Sequence, residues 1–124
     1  MGTFRIRPVA TGFRFTLETD NGRAIASGEV YKTLAGCTKG AGSVSRCAAR
    51  ANLSDLTVDD IPVVPNPRFE IYRDKAGSCR FRLRARNGEI IATGDAFSDK
   101  RACAAEIELI RAEAPDSDVV QEEN

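Results

Sequence analysis

Two stretches of the chain alternate apolar and polar residues on either side of an Asn-Gly pair. They are residues 15–28 (FTLETDNGRAIASG) and residues 81–94 (FRLRARNGEIIATG). Asn-Gly between alternating runs predicts a hairpin with a two-residue type I′ turn, because both central residues of that turn take positive φ. Side chains alternate between the faces of a strand, so this register puts Phe81, Leu83, Ala85, Ile90 and Ala92 on a core side. The other side carries Arg80 opposite Asp95, Arg82 opposite Thr93, Arg84 opposite Ile91 and Arg86 opposite Glu89. In the earlier copy the core side is Phe15, Leu17, Thr19, Ala24 and Ala26. Its outer side sets Arg14 against Glu29, Thr16 against Ser27, Glu18 against Ile25 and Asp20 against Arg23. In both copies an aromatic ring covers a strand glycine, Phe15 over Gly28 and Phe81 over Gly94.

The repeat extends beyond the hairpins. Phe4 and Ile6 alternate with arginines in a first strand, and Phe69 and Ile71 alternate with Glu70 and Tyr72 ahead of the second hairpin. After each hairpin the period changes from two to 3.6. Cys37, Ala41, Val44 and Ala48 mark one face of a helix capped by Thr33, and Cys103, Ile107, Ile110 and Ala114 mark another capped by Ser98. A short fourth strand follows, at 117–121 in the second copy. In the first copy 54–58 and 61–64 compete for that place, and Pro62 confines the latter to an edge. The predicted organisation is a first repeat over 1–62, an extended linker over 63–67 and a second repeat over 68–124, with 122–124 as a frayed tail. The fold class is α+β, a tandem β-β-β-α-β duplication forming a single antiparallel sheet with two helices on one face.

A chain of 124 residues is one domain by length. Eighteen basic and eighteen acidic residues cancel, which disfavours a protein built mainly to bind polyanions. The chain has no histidine, so a base working near neutral pH would have to be a shifted carboxylate, lysine or thiolate. Cys37, Cys47, Cys79 and Cys103 form no C-x-x-C pair, and small buried hydrophobes are the expectation rather than a zinc site or redox pair. Asp59 and Asp60 read as a solvated turn. No enzymatic activity, cofactor or metal is expected. No apolar run reaches the ~18 residues of a membrane span and no signal peptide pattern opens the chain, so the expected location is the cytoplasm, with no membrane partner.

The repeat resembles the YegP-like domains, a family without an assigned function. The resemblance rests on residues 69–72 (FEIY), the loop 74–77 (DKAG) followed by 80–83 (RFRL), residues 87–91 (NGEII), and the helix from Ser98 to 114–116 (APD). The first copy is the divergent one, with 8–12 (PVATG) where the second has its Asp-Lys-x-Gly loop. The family fold implies that paired units build one sheet and exchange their last strands. It implies no catalytic or binding residues.

The remaining candidate is a binding face on the outside of the sheet, comprising Arg80, Arg82, Arg84 and Arg86 on one strand with Ile91 and Ile25 at equivalent places beside it. In the predicted register Asp95 and Glu89 neutralise two of the arginines, leaving Arg82 and Arg84 open. Stacking aromatics are expected to be absent there. The reading is a non-catalytic binding or interaction module, monomeric with an internal pseudo-twofold or a weak homodimer, in which Ile25 and Ile91 form an apolar patch. The alternative is a nucleic-acid-binding protein using the arginine face.

Overall fold

The computed structural model describes residues 2–122. Strands β1 (Thr3–Val9), β2 (Gly12–Glu18) and β3 (Ala24–Ser27) precede helix α1 (Leu34–Cys47), a short 3-10 turn (Ala48–Arg50) and β4 (Asn52–Asp55). The second half repeats the order with β5 (Arg68–Arg73), β6 (Cys79–Arg84), β7 (Ile90–Thr93), α2 (Lys100–Glu113) and β8 (Asp118–Gln121). All eight strands join one sheet, β4-β5-β6-β7-β3-β2-β1-β8. The six inner strands run antiparallel, while β4 lies parallel to β5 and β8 parallel to β1. The last strands are therefore exchanged between halves. The sheet is mixed rather than wholly antiparallel, because each exchanged strand enters beside the other half's first strand in the same direction. In the first half the fourth strand is Asn52–Asp55, near the earlier of the two competing segments.

One face of the sheet holds the core. Phe4, Ile6, Phe15, Leu17, Phe69, Ile71, Phe81 and Leu83 are buried there, and Cys37, Ala41, Val44 and Ala48 of the first helical segment and Cys103, Ile107, Ile110 and Ala114 of the second cover them. Each fully buried large side chain contributes about 1.5–3 kcal/mol. Phe15 and Phe81 pack against Gly28 and Gly94 so closely that a Cβ there would lie 2.2 and 2.1 Å from a ring carbon. All four cysteines are free and buried. The halves also close each other's helix ends. Arg111 Nη1 donates to the carbonyls of Ala48 (3.3 Å) and Ala51 (2.7 Å) at the end of α1, and Ser45 Oγ donates to Pro115 O (3.1 Å) at the end of α2.

Three local expectations are corrected. The Asn-Gly hairpins close with three-residue loops. Thr19 N–H bonds to Arg23 O and Gly22 N–H to Thr19 O, and Ala85 and Gly88 repeat the pattern with Glu89 and Ala85. Only the glycines have positive φ (Gly22 84°, Gly88 86°), as in a type I turn followed by a left-handed glycine bulge. The strands take up the extra residue with a bulge, so Arg84 pairs with Ile90 and Glu18 with Ala24, while Leu83–Ala92 and Leu17–Ala26 keep the predicted register. Thr33 caps α1 as predicted, accepting from Gly36 N (3.0 Å), but α2 is capped by Asp99 rather than Ser98. Asp99 is one residue closer to the first turn, and its carboxylate accepts from both Arg101 N and Ala102 N. The linker is bound along β4, with Asn52 Nδ2 donating to Pro65 O (2.9 Å). At the other end Glu122 is tied to β1 through Ile6 O and Arg7, while residues 123–124 of the expected tail lie outside the described residues.

Candidate functional site

The structure places Arg80, Arg82 and Arg84 on the outer face of β6, as predicted, and then engages all three. Glu70 on β5 is 3 % exposed and accepts from Arg82 Nε (2.6 Å), Arg84 Nε (2.9 Å) and Arg68 Nε (2.9 Å). Burial alone would push the Glu70 carboxyl up. The hydrogen bonds from Arg82, Arg84 and Arg68 outweigh burial and hold it down at about 2. Arg80 binds Asp74 (2.7 Å) rather than the expected Asp95. Arg82 and Arg84, expected to be open, are thus the most engaged of the set, because their partner comes from the strand before the hairpin. Tyr72 also lies on this face, with Arg82 4.5 Å above its ring centroid, so the face does hold an aromatic. Ile25 and Ile91 do not form an outer patch. The bulges turn both into the buried set, at 2 % and 6 % exposed.

The first half carries the same outer array with signs exchanged. Glu18 on β2 accepts from Arg5 Nε (3.1 Å) and Arg7 Nη2 (3.3 Å) on β1. Between the two arrays, at the β3–β7 seam, Thr16, Ser27, Thr93 and Asp95 line a shallow trough of ≈ 240 Å³.

A different assembly lies on the helix side. α1 packs over β1, β2 and, across the pseudo-twofold, β7, which brings it beside the turn at 85–89. Two adjoining clefts run between helix and turn. One (≈ 300 Å³) is lined by Tyr31, Gly36, Lys39, Gly40, Ser43, Arg46, Ala85, Asn87, Glu89 and Ile91. The other (≈ 410 Å³) is lined by Ser43, Arg46, Cys47, Arg50, Ala85, Arg86 and Asn87. Tyr31 is fixed by a pair of backbone hydrogen bonds with Phe13 (2.7 and 2.8 Å), and its ring stacks on Phe15 at 6.4 Å. Its hydroxyl lies where a side chain at position 40 would begin, 2.3 Å from a Cβ built there. Among the described residues Lys39, Arg46, Arg50 and Arg86 have no ion-pair partner. The expected Arg86–Glu89 pair is not formed.

At the pseudo-symmetric position, between α2 and the turn at 19–23, the counterpart of the Tyr31 cleft is filled, while the counterpart of the arginine cleft is a hollow of ≈ 420 Å³ lined by Thr19, Asp20, Asn21, Arg23, Leu109 and Glu113. Glu106 replaces Gly40 and Arg23 replaces Glu89. Arg23 makes a two-pronged pair with Glu106 (2.9 and 3.1 Å) in place of the expected Asp20–Arg23 pair. Phe97, without a hydroxyl, stands where the open groove has Tyr31.

Sequence reasoning missed this groove. Lys39, Arg46 and Arg50 lie off the predicted buried face of the first helix, and only the duplicated topology brings them to Arg86 in the other half. The available signal was the contrast between Gly40 and Glu106 at equivalent positions.

The fold is shared with known proteins. The E. coli protein of unknown function yegP superposes with a TM-score of 0.78 at 22 % identity, covering 98 % of this chain and 92 % of that one. A UPF0339 protein from Shewanella oneidensis also gives 0.78, at 21 % identity over 97 % and 90 % of the two chains. In sequence, a UPF0339 protein of Treponema denticola is 52 % identical over 54 residues, 44 % of this chain and 93 % of its own length. One from Methanosarcina acetivorans is 40 % identical over 53 residues, 43 % of this chain and 91 % of its own. The domain of unknown function DUF1508 matches residues 9–55 and again residues 74–121. The chain therefore belongs to the DUF1508, or UPF0339, family and carries its domain twice.

Proposed function

We propose that the protein is a non-catalytic module that binds an anionic ligand in the groove between α1 and the turn at 85–89. The observation that carries this reading is the state of the cations. On the outer face Arg5, Arg7, Arg68, Arg80, Arg82 and Arg84 each have a carboxylate partner, and Arg14 donates to Gly28 O rather than pairing with Glu29. Lys39, Arg46, Arg50 and Arg86, by contrast, surround one groove without a carboxylate partner among the described residues. A zero net charge is no obstacle, since a cleft lined by one sign focuses its own field. Arg111 offsets the negative end of the α1 dipole beside this array.

A non-catalytic role suits the other groups. Glu18, Glu70 and Glu106 are engaged by arginines, and burial pushes the thiols of Cys37 and Cys103 up, the latter to about 11. Four free thiols suit a reducing compartment such as the cytoplasm. The outer face is the second reading for polyanion binding, favoured by Tyr72 but opposed by the engagement of Arg82 and Arg84 with Glu70. Immobilised heparin separates the two. Wild type should be retained at low salt, a variant with Arg46, Arg50 and Arg86 changed to glutamate should flow through, and Arg82→Ala with Arg84→Ala should elute with wild type. A wild type that is not retained, or an outer-face variant that alone loses retention, sinks the groove reading.

A further inference from the structure

We infer, on the strength of the groove reading above, that the ligand is a nucleotide unit with its base in the cleft beside Tyr31 and its phosphates along Arg46, Arg50 and Arg86. The two clefts differ in chemistry. The floor near Tyr31 is apolar: the tyrosine ring lies over the helix at Gly36 and Gly40, and Ala85 and Ile91 line the cleft beside it. A flat, weakly polar group fits such a floor. The other cleft holds three guanidinium groups and no carboxylate. Guanidinium forks match phosphate oxygens. Arg46 stands in the last turn of α1 and Arg50 ends the 3-10 turn that follows it, and Arg86 faces them from the turn at 85–89, an array longer than a single phosphate needs.

Glu89 assigns the ends. It lines the Tyr31 cleft and not the arginine cleft. A carboxylate repels phosphate but accepts hydrogen bonds from an exocyclic amine, as carboxylates do from cytosine. Tyr31 adds a hydroxyl with no hydrogen-bond partner among the described residues. Burial, more than the neighbouring Cys37, Glu29 and Glu89, pushes its pKa up, so it remains a donor. An inorganic polyphosphate would leave the apolar cleft unused, and an acidic peptide offers no flat ring to fill it. At the equivalent position Glu106 and Arg23 fill the place of the base cleft, and the adjoining hollow is lined by Asp20 and Glu113 where the phosphate cleft has arginines, so each chain offers one site.

The test is an equilibrium titration of the full chain, followed by amide chemical shifts and calorimetry, with ADP, short oligoadenylate, short oligouridylate, pyrophosphate and polyglutamate. Adenine ligands should bind once per chain and shift the amides of Gly36, Gly40 and Ile91. Oligoadenylate should exceed oligouridylate by about fivefold, the ratio one hydrogen bond supplies, and Glu89→Gln should erase that preference. Arg46→Ala with Arg50→Ala should weaken every nucleotide about tenfold or more. Equal binding of ADP and oligoadenylate identifies a free nucleotide as the source. Tighter, salt-dependent binding of the oligomer identifies single-stranded nucleic acid. Pyrophosphate or polyglutamate binding as tightly as the nucleotides, or a base preference unchanged by Glu89→Gln, overturns the inference. Retention on heparin without nucleotide binding also overturns it while leaving the groove reading intact, and loss of both removes both.

Discussion

The two grooves flanking the helices occupy equivalent places and have diverged in opposite directions. Lys39, Arg46, Arg50 and Arg86 on one side correspond to Ala105, Ala112, Asp116 and Asp20 on the other, and Gly40 and Glu89 correspond to Glu106 and Arg23. On the second side a carboxylate and a guanidinium meet and fill the counterpart of the Tyr31 cleft, and the hollow that remains is lined by Asp20 and Glu113. On the first the pair is gone and the cations are left facing solvent. The outer face diverged differently. Arg5–Glu18 became Glu70–Arg84, and the ion pair survived although its signs were exchanged. A position where both halves keep a neutral pair is held by packing and desolvation. A position where one half gives up its pair is free to face something other than the protein itself.

The largest expected effect tests the structural side of that contrast. Glu70→Gln should cost about 2–4 kcal/mol in urea unfolding, since it removes the buried acceptor of three half-buried guanidiniums. Glu18→Gln should cost about 1–2 kcal/mol, because Arg5 and Arg7 are more exposed. Equal costs would break the comparison. The same pair predicts a pH dependence. The folded state holds the Glu70 carboxyl at about 2, below the ordinary glutamate value of about 4.3. Its contribution is therefore complete above that value and is lost as pH falls toward 2. Unfolding midpoints of wild type and Glu70→Gln should converge on acidification, and a constant gap would show that the carboxylate is not the cause.

Gly40→Ala should come next, at about 1–3 kcal/mol, because its Cβ would drive into Tyr31. Across the pseudo-twofold, Arg23→Ala should cost about 1–2 kcal/mol by leaving the buried Glu106 carboxylate alone, and Glu106→Ala should cost less, since Arg23 is half exposed. The reverse order would mean that this contact is held by packing around Glu106 rather than by its charge. The smallest effect is kinetic. With Cys37 and Cys103 held in the thiol form by burial, a thiol reagent should label neither of them in the native protein and all four cysteines after denaturation. Rapid native labelling of either one would show that its helix opens locally.

The sequence carried the hairpins, the core side of each strand and the buried face of each helix, because these are local periodicities. It misled at the turns for an identifiable reason. Asn-Gly also suits a type I turn ending in a left-handed glycine, and only the bulge, which moved Ile25 and Ile91 inward, distinguishes the two. It misled on charge because hairpin register pairs each arginine with its neighbour across one turn. Glu70 lies on the preceding strand, opposite Arg82 and diagonal to Arg84. The groove was illegible because its walls come from different halves.

The exchange of β4 and β8 has a consequence for how such a protein can evolve. A chain with a single unit would have to recruit a second copy to supply its missing strand, so its folding would depend on protein concentration. Joining two units makes that encounter intramolecular, at an effective concentration of about millimolar for a short tether. Covalent union also removes a genetic constraint. In a homodimer every substitution appears twice, so a glycine that opens one groove opens both and a glutamate that seals one seals both. In the fused chain Gly40 and Glu106 are written separately, and one side can seal while the other stays open.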